Sequence, residues 1–438
     1  MKFNIFLMSL LIILFSIFFI AIAIVINPHI LSSFFSSSPS KLFYDVEHYS
    51  NLAINPTCNA FYPLWPWLIN RLGKLGNADI AALCFRVFGS LLSLISIPLF
   101  LWLLKKNIKS YRVTILTAAI YAISPLSVFR MIGYTEAIFS VLSLFFLIAL
   151  SDLKKISKIS FKLLFIFACI FIFSFFLSLT RPFLLQAVAA SILAFLSTLI
   201  INKFQKGVSF STILRLYGIA TFLICLGALA GYCVYGFYCL SIRGDFLAPF
   251  HDQKAWGKQL GFYPQLFFVP LTYADFISIY LPAIATITAW LVSISTNIKK
   301  LTFVIPKFWQ WILLFAYPPA FLAFYSLDFN KANFLNKSIK SKEIYLTQSA
   351  NSLSSSYLFW FCIYFALIHS IIIVFSDPKL TSLRRFIFGT PYFFVVIAYI
   401  SQCFSSRKVC KLLLWILGIS GIWLVQYWLD YANGVWIG

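Results

Sequence analysis

The run F-N-I-F-L-M-S-L-L-I-I-L-F-S-I-F-F-I-A-I-A-I-V-I, Phe3 to Ile26, decides the fold class. It carries no charge and exceeds the roughly 20 apolar residues that a membrane-spanning helix needs. It is also longer than the roughly 7 to 15 residue apolar core of a cleavable signal peptide, so it predicts an uncleaved anchor. Cleavage in the Ser-rich stretch Ser32 to Ser40 is the alternative. The rest of the chain is built the same way. Of 438 residues, 61% are hydrophobic and 11% charged, with mean hydropathy +0.92, against about 25% charged in soluble domains. The apolar runs are continuous rather than alternating, which excludes a β-barrel.

Further runs follow at Ala81 to Leu104, Val113 to Phe129, Met131 to Leu150, Phe161 to Leu179, Phe183 to Ile201 and Ile213 to Leu240. They continue near Phe276 to Val292, Trp309 to Leu327, Tyr357 to Phe375, Phe386 to Phe404 and Leu412 to Leu429. The expected fold is therefore all-α, one polytopic domain over 1–438 with about 11 to 13 transmembrane helices.

The net charge of +22 comes from Lys and Arg clustered in short loops. Topogenic charge and anionic lipid account for this better than nucleic acid does. The basic loops Lys105 to Arg112, Asp152 to Lys162 and Asn202 to Arg215 alternate with turns at Arg130 and Arg181. That places the basic loops in the cytoplasm and two polar connections, 27–80 and 243–275, on the extracytoplasmic side. Later, Lys299 to Lys307, Lys331 to Lys342, Lys379 to Arg385 and Arg407 to Lys411 are all basic. They cannot all be cytoplasmic, so a span is miscounted or one basic loop has a task on the other side. Arg384 and Arg385 are candidates for that loop.

The first polar connection contains Y-D-V-E-H-Y-S-N-L-A-I-N-P-T-C-N-A-F-Y-P-L-W-P-W, Tyr44 to Trp67. Asp45, Glu47 and His48 stand together in a chain with 12 acidic residues in all. If Tyr44 to Ala53 is helical, Asp45, His48 and Tyr49 share a face and Glu47 points away, which makes Asp45 the better base. Pro63, Pro66 and the aromatics around them suit an interfacial or re-entrant segment. Without catalysis, the same acids serve as a helix start backed by an aromatic belt.

S-P-L-S-V-F-R-M-I-G-Y-T-E-A-I-F, Ser124 to Phe139, predicts a tight turn at the membrane edge with Arg130, Tyr134 and Glu136 exposed on it. Glu136 at the head of an apolar run is costly unless paired or facing water; the plainer role is to favour the helix N-terminus. Arg181, in S-L-T-R-P-F, and Arg384 and Arg385 suit bidentate phosphate binding, against snorkelling or topogenic roles. In the second connection, His251, Asp252 and Trp256 are candidates for a sugar site or for solvated surface. The nine cysteines form no C-x-x-C or paired framework and read as small core residues. With four histidines, no transition-metal centre is expected; the count says nothing of a divalent metal such as magnesium, and no cofactor is expected.

In this order, Y-D-V-E-H-Y (44–49), A-F-Y-P-L-W-P (60–66), S-P-L-S-V-F (124–129), G-Y-T-E-A-I-F (133–139), T-R (180–181) and R-F-I-F-G-T-P (385–391) resemble the PIG-V family. These are the second mannosyltransferases of glycosylphosphatidylinositol (GPI) anchor synthesis and their bacterial relatives. The resemblance covers the first half and the Arg384 region; little is recognised between Lys203 and Ser376, and the family's usual Trp before the Asp is Tyr44 here. It implies a GT-C glycosyltransferase taking mannose from a polyprenyl- or dolichyl-phosphate donor to a lipid or glycan acceptor. On that reading Asp45 is the base, with Glu47 or His48 orienting it. Arg181, Arg384 and Arg385 bind the donor phosphate, and Tyr134, Glu136, Tyr62, Trp65 and Trp256 bind sugar or acceptor. The membrane lipid and the lipid-linked sugar are then its partners, and a bacterial inner membrane is expected ahead of the endoplasmic reticulum, since Trp436 to Gly438 is no retrieval signal. The rivals are a lipid-linked-sugar flippase or solute transporter, and a non-catalytic scaffolding subunit.

Overall fold

The computed structural model describes residues 4–35, 44–73, 77–153, 160–205, 210–268, 273–297, 356–377, 382–404 and 407–435. Every regular element among them is helical. The chain begins with α1 (Ile5–Ile26), α2 (His29–Phe35), α3 (Tyr44–Ile54) and α4 (Leu64–Gly73). It continues with α5 (Ala78–Asn107), α6 (Tyr111–Ile123), α7 (Glu136–Leu153), α8 (Phe161–Thr180), α9 (Leu184–Gln205) and α10 (Phe210–Arg243). A short α11 (Ala248–His251) precedes α12 (Tyr273–Asn297), α13 (Tyr357–Ser376), α14 (Leu383–Phe388), α15 (Tyr392–Cys403) and α16 (Arg407–Ala432).

Several helix starts are set by side-chain caps that satisfy otherwise orphaned N–H groups. Asn4 accepts from the Phe6 and Leu7 N–H groups, Asn77 from Ile80, Ser110 from Val113 and Ser356 from Phe359. Among the described residues, eight helices are long and apolar enough to cross a membrane, and three apolar stretches, in α6, in α12 and in α15, are shorter. The expected run Val113 to Phe129 is not one helix. It breaks at Ser124, because Pro125 cannot continue the α6 ladder, and 125–130 form a 3-10 turn. The run expected at 386–404 likewise divides into α14 and α15 around Pro391. The expected span Trp309 to Leu327 lies outside the described residues.

The helices turn large apolar side chains outward as well as inward; Phe6, Phe161, Phe222 and Trp415 are all exposed. A bilayer, rather than water, suits such a surface. Inside, α8 and α10 approach closely because Gly227 and Gly231 present no side chain. A Cβ on Gly227 would sit 2.6 Å from the Phe171 carbonyl oxygen, and one on Gly231 would collide with that of Phe175.

Two ends of the bundle are distinguishable. At one, Lys106 pairs with Asp152, and the Lys109 N–H donates to Gln402 at 2.6 Å. At the other lie α3, α4, the turns before α7 and α9, the connection 244–268 and α14. The ends of α1 and α16 meet there through Asn27 and Asn433 at 3.2 Å. Arg385 belongs to this second end, where a basic segment stands beside Asp45. Among the expected basic loops, 299–307 and 331–342 lie outside the described residues.

Candidate functional site

A cavity of about 460 Å³ opens at this second end, walled by α3, the 60–62 segment, the Thr180 to Pro182 turn, the connection after α10, and α14. Its chemistry comes from four charged groups brought together from distant parts of the chain. Arg385 Nη1 donates to Asp45 Oδ2 at 2.8 Å across a separation of 340 residues. Arg385 Nε lies 2.7 Å from Glu136 Oε1, and Arg181 Nη1 lies 3.2 Å from the same oxygen. Glu136 is fully buried, and the Arg181 and Arg385 side chains are each 8% exposed. Asp45, at 19%, is the most accessible of the four. Its Oδ1 has no partner among the described residues.

Each member is held by its own element. α3 is an 11-residue helix with Asp45 in its first turn, and Asp45 and Tyr49, one turn apart, both line the cavity. The turn before α7 is set by Gly133, whose φ of 98° suits glycine and whose position leaves no room for a Cβ against Phe85. That turn delivers Tyr134 and Thr135 to the site and Glu136 as the first residue of α7. Arg181 ends α8 and stacks on Phe386, its guanidinium carbon 4.0 Å from the ring centre. Arg385 stands 4.9 Å from the Tyr134 ring centre. α14 is anchored by Ser124 and Ser140, which donate to the carbonyls of Phe388 and Gly389 at 3.4 Å each. A Cβ on Gly389 would collide with the Arg385 carbonyl oxygen, which keeps this end of α14 a glycine.

The electrostatics follow from burial. Burial works against the Arg385 charge, but Glu136 and Asp45 outweigh it and hold its pKa above the ordinary arginine value. For Arg181 burial prevails over the Glu136 attraction, and its pKa falls. Tyr49 is pushed up, by burial first and then by Asp45. Its hydroxyl lies 3.4 Å from that of Thr135.

Among the expected site residues, Asp45, Glu136, Arg181 and Arg385 converge, Tyr134 stacks over Arg385, and Tyr62 lines the cavity wall. Others are corrected. Arg130, Tyr134 and Glu136 are not exposed on their turn but buried, because the turn folds inward onto α5. Trp65 is not at the cavity: it is fully buried against Phe85, and its indole N–H donates to the Gly133 carbonyl at 3.0 Å. The proline-flanked segment around it is an ordinary short helix, α4, packed on α3 and α5. Glu47 and His48 are off the cavity wall. His48 stacks on Phe61, a residue of the cavity wall, with ring centres 4.9 Å apart. Arg384 faces away, 5.8 Å from the Tyr427 ring. His251 pairs with Asp245 at 2.9 Å, and Asp252 pairs with Arg243, so both brace their connection. The side chain of Trp256 lies outside the described residues.

The cysteine reading is also corrected. Cys58 and Cys239 form a disulfide across 181 residues, tying the segment after α3 to the end of α10. Two residues of this region escaped sequence reasoning. Gln253 donates to the Ala60 carbonyl at 3.3 Å, and Lys258 lines the cavity. In sequence they are polar residues of a loop, and nothing marks them. Among the described residues no group of three or more His, Cys, Asp or Glu is placed to hold a metal ion.

No family model matches the chain, and no curated protein does so at a meaningful level of similarity.

Proposed function

We propose that the protein is a membrane glycosyltransferase of the GPI mannosyltransferase 2 kind. It moves a mannose-type sugar from a polyprenyl- or dolichyl-phosphate donor to a lipid-linked or glycan acceptor. The observation that carries this reading is Asp45: a carboxylate with one oxygen bound to Arg385 and the other without a partner among the described residues, on the wall of a cavity beside a second arginine.

In such a transfer the acceptor oxygen forms a bond to the anomeric carbon while the carbon–phosphate oxygen bond breaks, its electron pair passing to the phosphate. The acceptor proton goes to Asp45 Oδ1. Negative charge then disappears from Asp45 and appears on the leaving phosphate. Arg385, already fixed between Glu136 and Asp45, loses one counter-charge at that moment and is ready to face the phosphate without moving. Glu136 acts as the shared counter-ion that keeps both arginines in place, which revises its expected role as a sugar ligand.

Two features support an extracytoplasmic site. Lys105, Lys106 and Lys109, at the end of α5 and just after it, lie at the opposite end. The Cys58 and Cys239 disulfide belongs to the site end, and disulfides persist in oxidising compartments. The four-charge cluster sits at helix ends rather than at mid-helix breaks, which favours interfacial chemistry over a flippase or transporter. The test is transfer of label from radiolabelled polyprenyl-phosphate-mannose to a membrane lipid extract by the purified, detergent-solubilised chain. Transfer by the chain alone supports the enzyme reading; no transfer under conditions where the donor binds contradicts it.

A further inference from the structure

We propose that Lys258 is the residue that takes the charge of the donor phosphate, an assignment that rests on the glycosyltransferase reading above. Arg181 and Arg385 face Glu136 and Asp45, two cations against two carboxylates, and Arg385 has both Nε and Nη1 engaged. A phosphate entering this group finds no net positive charge. Lys258 lines the same cavity from a different element, the connection between α10 and α12. It is half-buried, and among the described residues its ammonium has neither an ion-pair nor a hydrogen-bond partner. It is a cation of the described cavity wall without a close ion pair, and Asp377 is the carboxylate that acts on it most strongly, from beyond ion-pair distance.

Its placement is built. The disulfide and an Arg243 hydrogen bond to the Cys58 carbonyl at 2.9 Å tie the start of the connection to the segment after α3. Gln253 crosses to the Ala60 carbonyl, and the Gly261 N–H donates to the Phe375 carbonyl at 3.0 Å on the far side of Lys258. The segment carrying Lys258 is thereby held between two attachment points beside the cavity. Burial lowers the Lys258 pKa; Asp377 opposes this, Arg385 adds to it, Asp45 opposes and Arg181 adds. An anion in the cavity restores what burial takes away.

The chemistry needs this charge. The donor phosphodiester carries one negative charge, and when the sugar leaves, the phosphate monoester gains a second. A lysine that is unpaired before donor binding attracts the first and is present for the second.

The experiment compares binding of farnesyl phosphate and of farnesol to the full-length chain in detergent, followed by thermal stabilisation, for wild type, Lys258→Ala, Lys258→Gln and Lys258→Arg. A charge-assisted contact predicts that wild type prefers the phosphate, that the Ala and Gln variants lose roughly tenfold or more in affinity, and that Arg retains it. The unliganded variants should melt as wild type does, and Gln, which keeps most of the side chain, controls for packing. Since the ammonium must be charged, wild-type affinity falls as pH rises through the lowered lysine pKa, and the Arg variant lacks that fall. If Lys258→Ala binds like wild type while Arg385→Met does not, the arginines hold the phosphate, and this assignment fails with the donor reading intact. If wild type binds farnesol as tightly as farnesyl phosphate, the phosphate-donor reading fails and takes this one with it.

Discussion

Two groups of buried arginines lie at the same end of the bundle. Arg181 and Arg385 are neutralised by carboxylates and border a cavity. Arg130 is 1% exposed, and among the described residues no carboxylate lies within ion-pair distance of it. It donates to the Tyr121 carbonyl at 2.6 Å and stacks 3.9 Å from the centre of the Tyr121 ring, while its Nε and Nη1 find no hydrogen-bond partner. Arg86, also 1% exposed, donates to the Ser33 carbonyl at 3.1 Å. Burial of a guanidinium is thus no mark of function by itself. Backbone oxygens and aromatic faces suffice to hold a cation that fastens helices together. Carboxylates beside a cavity make a charge that chemistry can rearrange.

That contrast gives a graded set of expectations. The largest effect belongs to Glu136→Gln. It leaves two buried guanidinium groups with one carboxylate and should cost about 3 to 5 kcal/mol, read as a large fall in melting temperature together with loss of transfer. A protein as stable as wild type would show that the arginines do not depend on Glu136. Next comes Cys58→Ser, which opens the long loop closed by the disulfide. On the order of 2 to 5 kcal/mol should be lost, and farnesyl phosphate should bind more weakly, because the connection carrying Lys258 is released; reduction of the wild type should reproduce both changes. The smallest is Arg130→Met. One hydrogen bond and one ring contact go, about 1 to 2 kcal/mol together, with kcat and KM for the donor unchanged. A changed KM would move Arg130 from scaffold to site and erase the distinction between the two groups.

The sequence reveals the helices and the site's members more readily than their pairings. Acidic residues are so few that Asp45 and Glu136 stand out, and Arg181 and Arg385 stand out at the ends of apolar runs. That Asp45 meets Arg385 is invisible to local patterns, because 340 residues separate them. Trp65 misleads for a physical reason: an aromatic beside prolines looks the same in a headgroup belt as in a core, and only the approach of Phe85 and Gly133 decides. Cys239 lies inside an apolar run as Cys225 and Cys362 do, so its bond to Cys58 leaves no local trace. Hydropathy also merges α6 with the turn after it, since Leu126, Val128 and Phe129 are as apolar as a span although they pack inward in a 3-10 turn. Lys258 was hidden among solvated-looking neighbours such as Lys254.

The central claim is that Asp45 accepts the acceptor's proton, and the most direct measurement is the transfer rate of Asp45→Asn beside its melting curve. Asparagine keeps the shape and an oxygen for Arg385, whose pairing with Glu136 remains. The account predicts a fall in kcat of roughly a hundredfold to ten-thousandfold with the melting temperature near that of wild type. Turnover at the wild-type rate by a folded Asp45→Asn protein would contradict it.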